Sequence, residues 1–152
     1  RDVLPDGRVH VAAGAKGGKE RVLSEISPEG RNAIENARSV AGTGSMIPPG
    51  MRDSQWEKKG YKILEKAGAN KKYEKFHSAR HAYAQLRYEQ LTGFKCRVKF
   101  ESKEAFAQAA IEARGENWKD YDKSARGIIK VEMGHGLDRD STVAQYLGSN
   151  SK

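Results

Sequence analysis

The sequence predicts an α+β fold, mainly α-helical, with a small β-hairpin at its N-terminal end. Apolar residues recur at spacings of three and four through most of the 152 residues, the period of a helix with one buried face. Strand-like alternation is confined to the stretch before Ser24 and a short run after Gly93. Between the periodic segments stand capping residues, glycines and prolines of the kind that start and stop helices. The length fits one domain with a core of its own.

Val9, Val11 and Ala13 alternate with His10 and Ala12, and Arg21-Val22-Leu23 returns after a glycine-rich tip carrying Lys16 and Lys19. This predicts the hairpin, and Pro5-Asp6-Gly7 before it is a turn of its own. Ser27-Pro28-Glu29 reads as a helix start, with a capping hydroxyl, proline in the first turn and an acid beside it. Ala33, Ile34, Ala37, Val40 and Ala41 give that helix a face to bury, and Gly42 ends it. Asp53 or Ser54 is expected to cap a second helix with Trp56, Ile63, Leu64 and Ala67 inward, ending at Gly68. Residues 77–91 form the third. Its expected buried stripe is Ala79, Ala82, Tyr83 and Leu86, with His77, Arg80, Ala84 and Arg87 on the neighbouring one.

Phe94, Cys96, Val98 and Phe100 alternate with Lys95, Arg97 and Lys99, which predicts a short strand with a basic face. Ser102 is expected to cap a helix that Gly115 closes, with Phe106, Ala109, Ala110 and Ala113 inward. The next runs from about Lys119 to Met133 and breaks at Gly134-His135-Gly136. Asp140-Ser141-Thr142 can start a last helix holding Val143, Tyr146 and Leu147.

Lys and Arg outnumber Asp and Glu by 28 to 20, a net charge of +8. That excess favours an anionic partner, nucleic acid before a membrane surface. No apolar run is long enough to span a bilayer and no signal peptide is evident, so a cytoplasmic protein is expected. Cys96 is the sole cysteine, which suits a reducing compartment. Without a CxxC pair no metal site is expected. Opening at Arg1, the chain reads as a fragment or processed product.

His77 and Arg80 lie one turn apart on the third helix, so their side chains share a side. A forked guanidinium beside an imidazole is a ready phosphate ligand. Ala15-Lys16-Gly17-Gly18-Lys19-Glu20-Arg21, His77-Ser78-Ala79-Arg80-His81-Ala82-Tyr83-Ala84, Met133-Gly134-His135-Gly136 and Ala144-Gln145-Tyr146-Leu147-Gly148 follow one another along the chain. In that order they resemble the lysine hairpin, His-x-x-Arg-His box, Leu-Gly-His box and nucleophile segment of the tyrosine recombinases, the integrase family of phages and mobile elements. Gly44-Ser45-Met46-Ile47-Pro48-Pro49 and Arg87-Tyr88-Glu89-Gln90-Leu91-Thr92-Gly93 are similar to a bacterial subgroup carried on integrative elements.

The resemblance implies the catalytic-domain fold of DNA breaking-rejoining enzymes over residues 1–152. It also implies site-specific integration and recombination through a 3′-phosphotyrosyl intermediate, without metal or other cofactor. Tyr146 would be the nucleophile. Arg80 would grip the non-bridging phosphate oxygens, and His77 would bind the same phosphate or accept the phenolic proton. His135 would donate to another phosphate oxygen, and Lys16 would protonate the leaving 5′-oxygen, with Lys19 as its competitor. His81 reads as packing or support. The basic residues Lys71, Lys72 and Lys75 would position phosphates.

The partner implied is double-stranded DNA bearing an att-type site, with self-association on that DNA and action at the bacterial nucleoid. No membrane or small-molecule substrate is implied. The chain departs from the family in two ways. The family's first catalytic arginine and its DNA-clamping domain are expected to lie outside this chain, and residues from about 94 to 121 look like an insertion. The alternatives are a DNA-binding module of integrase origin without chemistry, or an unrelated basic helical domain that binds nucleic acid. A tyrosine beside Leu147 on a helix is, by itself, ordinarily core.

Overall fold

A computed structural model describes residues 3, 4, 6–11, 20–23, 26–42, 44–68, 76–135 and 140–149. Among them are two short antiparallel strands, β1 (Val9–Val11) and β2 (Arg21–Leu23), and six helices. The helices are α1 (Pro28–Ala41), α2 (Asp53–Lys66), α3 (Phe76–Thr92), α4 (Lys103–Arg114), α5 (Trp118–Glu132) and α6 (Asp140–Leu147). The expected α+β class, mainly helical with one hairpin, is what forms. No described helix is long and apolar enough to cross a membrane. The hairpin tip with Lys16 and Lys19, and the link with Lys71, Lys72 and Lys75, lie outside the described residues.

The chain divides into two compact units. The first comprises residues 1–10 and 22–75, the second residues 11–21 and 76–152. In the first, Gly7 N–H donates to Leu4 O at 2.9 Å and Val3 pairs with Val9, which closes the turn around Asp6 and Gly7. Ser27 caps α1 as its sequence requires, accepting from Gly30 N–H at 3.1 Å, and Gly42 ends it. The cap of α2 falls one residue early: Asp53 is already helical, and Arg52 N–H donates to Gln55 Oε1 at 2.9 Å. Neither helix buries a residue completely. Their expected apolar faces are partly covered: Ile34, Ala37, Ala41, Trp56 and Leu64 are half-buried, whereas Val40 is 73% and Ile63 65% exposed.

The second unit holds the core. α3, α5 and α6 pack together, and α4 closes one end against α5. Tyr88, Phe94, Phe106 and Trp118 form a chain of edge-on or tilted rings with centroids 5.5 to 5.9 Å apart, a geometry suited to the ring quadrupoles. Phe94, Cys96, Phe106 and Ala110 all belong to the core, so the segment expected as an insertion contributes apolar residues to it. The strand expected at Phe94–Phe100 does not form. Phe94 and Cys96 are buried, but the chain then tightens into a 3₁₀ turn at Arg97–Lys99. No strand lies alongside among the described residues, and alternation without a ladder partner leaves the backbone free to turn.

The expected faces of α3 hold only in part: Tyr83 packs against the core, but the rest of its stripe does not. Ala79, Ala82 and Leu86 are exposed, while Ala84, Arg87 and Tyr88 are buried. The cause is the carboxylates of α5. Glu132 accepts from Arg87 Nη2 at 3.1 Å and from the Tyr83 hydroxyl at 2.8 Å. Asp122 accepts from the Tyr88 hydroxyl at 2.6 Å and from Arg126 Nε at 2.9 Å. A polar stripe with this many acceptors can be buried. Burial and then the carboxylate bond push both phenols, Tyr83 and Tyr88, well above their ordinary titration range, so they stay protonated donors.

Candidate active site

Three elements of the second unit bring the sequence-predicted residues together. The first half of α3 presents His77, Arg80 and His81 on adjacent turns. α5 ends at Glu132, and Gly134 follows with φ +73°. Gly134 N–H donates to Val131 O at 2.9 Å and His135 N–H reaches back to Lys130 O at 3.0 Å. This glycine-dependent helix stop ends α5 and sets the His135 ring against Tyr146. Arg80 fixes the arrangement, donating from Nη2 to Met133 O at 2.8 Å. A permanent cation on a terminal helix carbonyl is also favoured by the helix dipole.

α6 brings Tyr146 into the centre. Its ring centroid is 4.6 Å from His81, edge-on, and 5.9 Å from both His77 and His135, the latter nearly parallel at 27°. His77 and His81 meet edge-on at 5.2 Å. Several contacts hold α6 in this register. Leu147 and Val143 are buried, Gln85 Nε2 donates to Tyr146 O at 3.2 Å, and Arg126 Nη1 donates to Gly148 O at 3.0 Å. Gly148, with φ +85°, lies so close to the Arg97–Val98 backbone that a Cβ would stand 2.9 Å from Val98 N.

His77, Arg80, His135 and Tyr146 thus share one site, although at least 50 residues separate the two on α3 from the two beyond α5. Lys16, the fifth expected member, lies outside the described residues. His81, read from sequence as support, carries the ring nearest Tyr146. Burial, and then the neighbouring His77, lower its pKa from the ordinary value, which favours the neutral imidazole as a proton acceptor. The signal for this was its place four residues after His77, on the same helix face. That pair also has a spacing metals use, but no group of three His, Cys, Asp or Glu among the described residues is placed to hold one.

The arrangement gathers a nucleophile candidate and three imidazoles, with a guanidinium held on the Met133 carbonyl two residues before His135. Among the described residues the hydrogen bond of Arg80 runs from Nη2 to Met133 O. Compared with known proteins, the chain matches no family model, no curated protein and no solved structure.

Proposed function

We propose that this chain is the catalytic domain of a tyrosine recombinase, which breaks and rejoins one strand of duplex DNA at a time during site-specific integration. The observation that carries the reading is the single cluster formed by Tyr146, three histidine rings and Arg80. Residues assigned from separate sequence boxes lie together, which supports the reading.

In the proposed reaction the Tyr146 oxygen attacks the scissile phosphorus. A new P–O bond to the phenolic oxygen forms while the P–O5′ bond breaks. The product is a 3′-phosphotyrosyl link and a free 5′-hydroxyl. His81 or His77 takes the phenolic proton, and Lys16, by the resemblance, supplies the proton to the leaving oxygen. Arg80 and His135 hold the non-bridging oxygens, where charge accumulates in the transition state. The reverse transfer, from a second strand's 5′-hydroxyl, rejoins the DNA. No nucleotide cofactor is consumed, because the phosphotyrosyl bond replaces the phosphodiester. The net charge of +8 suits duplex DNA as partner, bound in a salt-dependent way, with self-association on it to pair two sites. Action in the bacterial cytoplasm belongs to the same proposal.

A nicked suicide duplex carrying the attachment site of the encoding element tests the reading. An SDS-resistant protein–DNA adduct should form, mapped by peptide sequencing to Tyr146, and Tyr146→Phe should abolish it. An adduct that persists in that variant would sink the assignment. Tyr146 is only 3% exposed, which favours a second reading, a DNA-binding module of the same origin without chemistry. Duplex binding with no adduct on any suicide substrate would select it.

A further inference from the structure

A surface groove of about 480 Å³ in the second unit is lined by none of the residues clustered around Tyr146. One wall is the stripe Ala82, Gln85, Leu86 and Glu89, at i, i+3, i+4 and i+7 on α3, and the other carries Lys95 and Lys99. The part of the expected apolar stripe of α3 that the core leaves uncovered thus faces this groove. Ala82 is exposed and Leu86 is 63% exposed, although a leucine side chain gains by leaving water. Lys95, Lys99 and Glu89 are exposed and form no ion pair among the described residues. The basic face expected of a strand is instead the rim of a partly apolar groove.

We propose that this groove docks an acidic amphipathic segment of a partner protein, with an apolar side chain seated on Ala82 and Leu86 and carboxylates facing Lys95 and Lys99. Charge complementarity selects the occupant. A second copy of the chain, with net charge +8, would bring more positive charge than negative to the lysines. A phosphate backbone would pair with the lysines, but it has no apolar group to bury on Leu86, and Glu89 would repel it. A segment with apolar residues one helical turn apart, flanked by acids, meets both needs in the manner of a helix laid in a groove.

Both walls also touch α6. Gln85 Nε2 donates to Tyr146 O at 3.2 Å, and Gly148 lies against the Arg97–Val98 backbone. A segment seated between the walls therefore bears on the register of Tyr146. That this changes strand cleavage rests on the recombinase reading; the docking does not.

The test is fluorescence anisotropy of the whole chain with a labelled probe peptide, Glu-Asp-Leu-Glu-Glu-Ala-Leu-Glu-Asp. Wild-type protein should bind it saturably. Leu86→Gln should weaken binding about tenfold with an unchanged melting temperature, and Lys95→Glu/Lys99→Glu should weaken it by about tenfold or more. The charge-matched variant Lys119→Glu/Lys123→Glu on α5 should match wild type. Probes with serine for both leucines, or glutamine for every acid, should each bind about tenfold more weakly. Wild-type affinity in the groove variants, or no binding by wild-type protein, would overturn the docking. So would a loss of duplex DNA binding in place of peptide binding in the lysine variant, or a dimer in sedimentation that Leu86→Gln dissolves. Peptide binding should also shift the amide resonance of Leu147, which shares its peptide group with the Tyr146 carbonyl; an unmoved resonance would overturn the link to Tyr146. Docking that depends on Leu86, with no suicide-duplex adduct from wild-type protein, would leave the groove standing and remove the recombinase reading.

Discussion

Arg87 and Glu132 form an ion pair at 3.1 Å with side chains only 7% and 4% exposed, joining α3 to the last residue of α5. The bond is forked, Nη2 donating to Glu132 Oε1 and Nε to both carboxylate oxygens, with the Tyr83 hydroxyl also donating to Oε2. Met133 and His135 follow immediately, so this pair sets where the site-bearing turn begins. Breaking one side leaves a buried charge uncompensated. Glu132→Gln and Arg87→Met are each expected to cost about 3–5 kcal/mol, read from urea unfolding midpoints at constant slope. The double variant Arg87→Met/Glu132→Leu should lose much less than the two single losses added. Strict additivity would mean the two residues do not act as a pair.

Tyr146 separates packing from chemistry. Its ring is buried among three imidazoles, but its hydroxyl has no hydrogen bond among the described residues. Tyr146→Phe should therefore change stability by less than about 1 kcal/mol while abolishing the covalent adduct. Tyr146→Ala should empty a core position and cost about 3–5 kcal/mol. Calorimetry of both variants beside the adduct assay distinguishes the roles. A large loss of stability in the phenylalanine variant would place the hydroxyl in the fold instead.

His81 makes the unit sensitive to acid. Burial and His77 lower its folded-state pKa below the unfolded value of 6.5. The folded state thus binds fewer protons than the unfolded state just below that pH. Its contribution is fully present above about pH 6.5 and is lost as pH falls through the folded value. The titratable groups whose rings face it are His77 on α3 and Tyr146 on α6. Melting temperatures should fall from pH 8 to pH 5 in wild-type protein and fall less in His81→Leu. An identical pH dependence in the two proteins would exclude His81 as its source.

Helix ends were the most legible feature of this sequence, because a cap is a local event. Ser27 and Ser102 accept the N–H groups their spacing anticipates, at 3.1 and 3.0 Å, and Gly42, Gly115 and Gly134 stop helices with positive φ. The direction in which α3 faces was not legible. Leu86 remains 63% exposed while Arg87 is buried, since α5 supplies Glu132 and Asp122 from far along the chain. Hydrophobic periodicity ranks residues by transfer cost and cannot see a distant acceptor. The same limit applies to Phe94–Phe100, where alternation was present but no neighbouring strand. Within the site, His77, Arg80, His135 and Tyr146 could be named from ordered boxes. The contact of Arg21 with Gly134 could not, because it joins residues more than 100 positions apart.

Gly134 and Gly68 offer a matched comparison of that contact. Each follows the end of a helix with positive φ, +73° and +90°, and each donates its N–H to the carbonyl three residues back, at 2.9 and 3.1 Å. An alanine at either position meets the left-handed penalty of about 1–2 kcal/mol. At Gly68 the added Cβ meets nothing within 4 Å, whereas at Gly134 it would stand 2.8 Å from Arg21 Nη1 and 3.2 Å from its Cζ. Arg21 must then swing away from the turn, and the end of a flexible side chain can do so at small cost. Gly68→Ala and Gly134→Ala should therefore lose similar stability in urea unfolding. Only Gly134→Ala should also slow adduct formation, because it alone disturbs the turn that carries His135. If both variants form the adduct at the wild-type rate, the contact between Arg21 and Gly134 is packing alone.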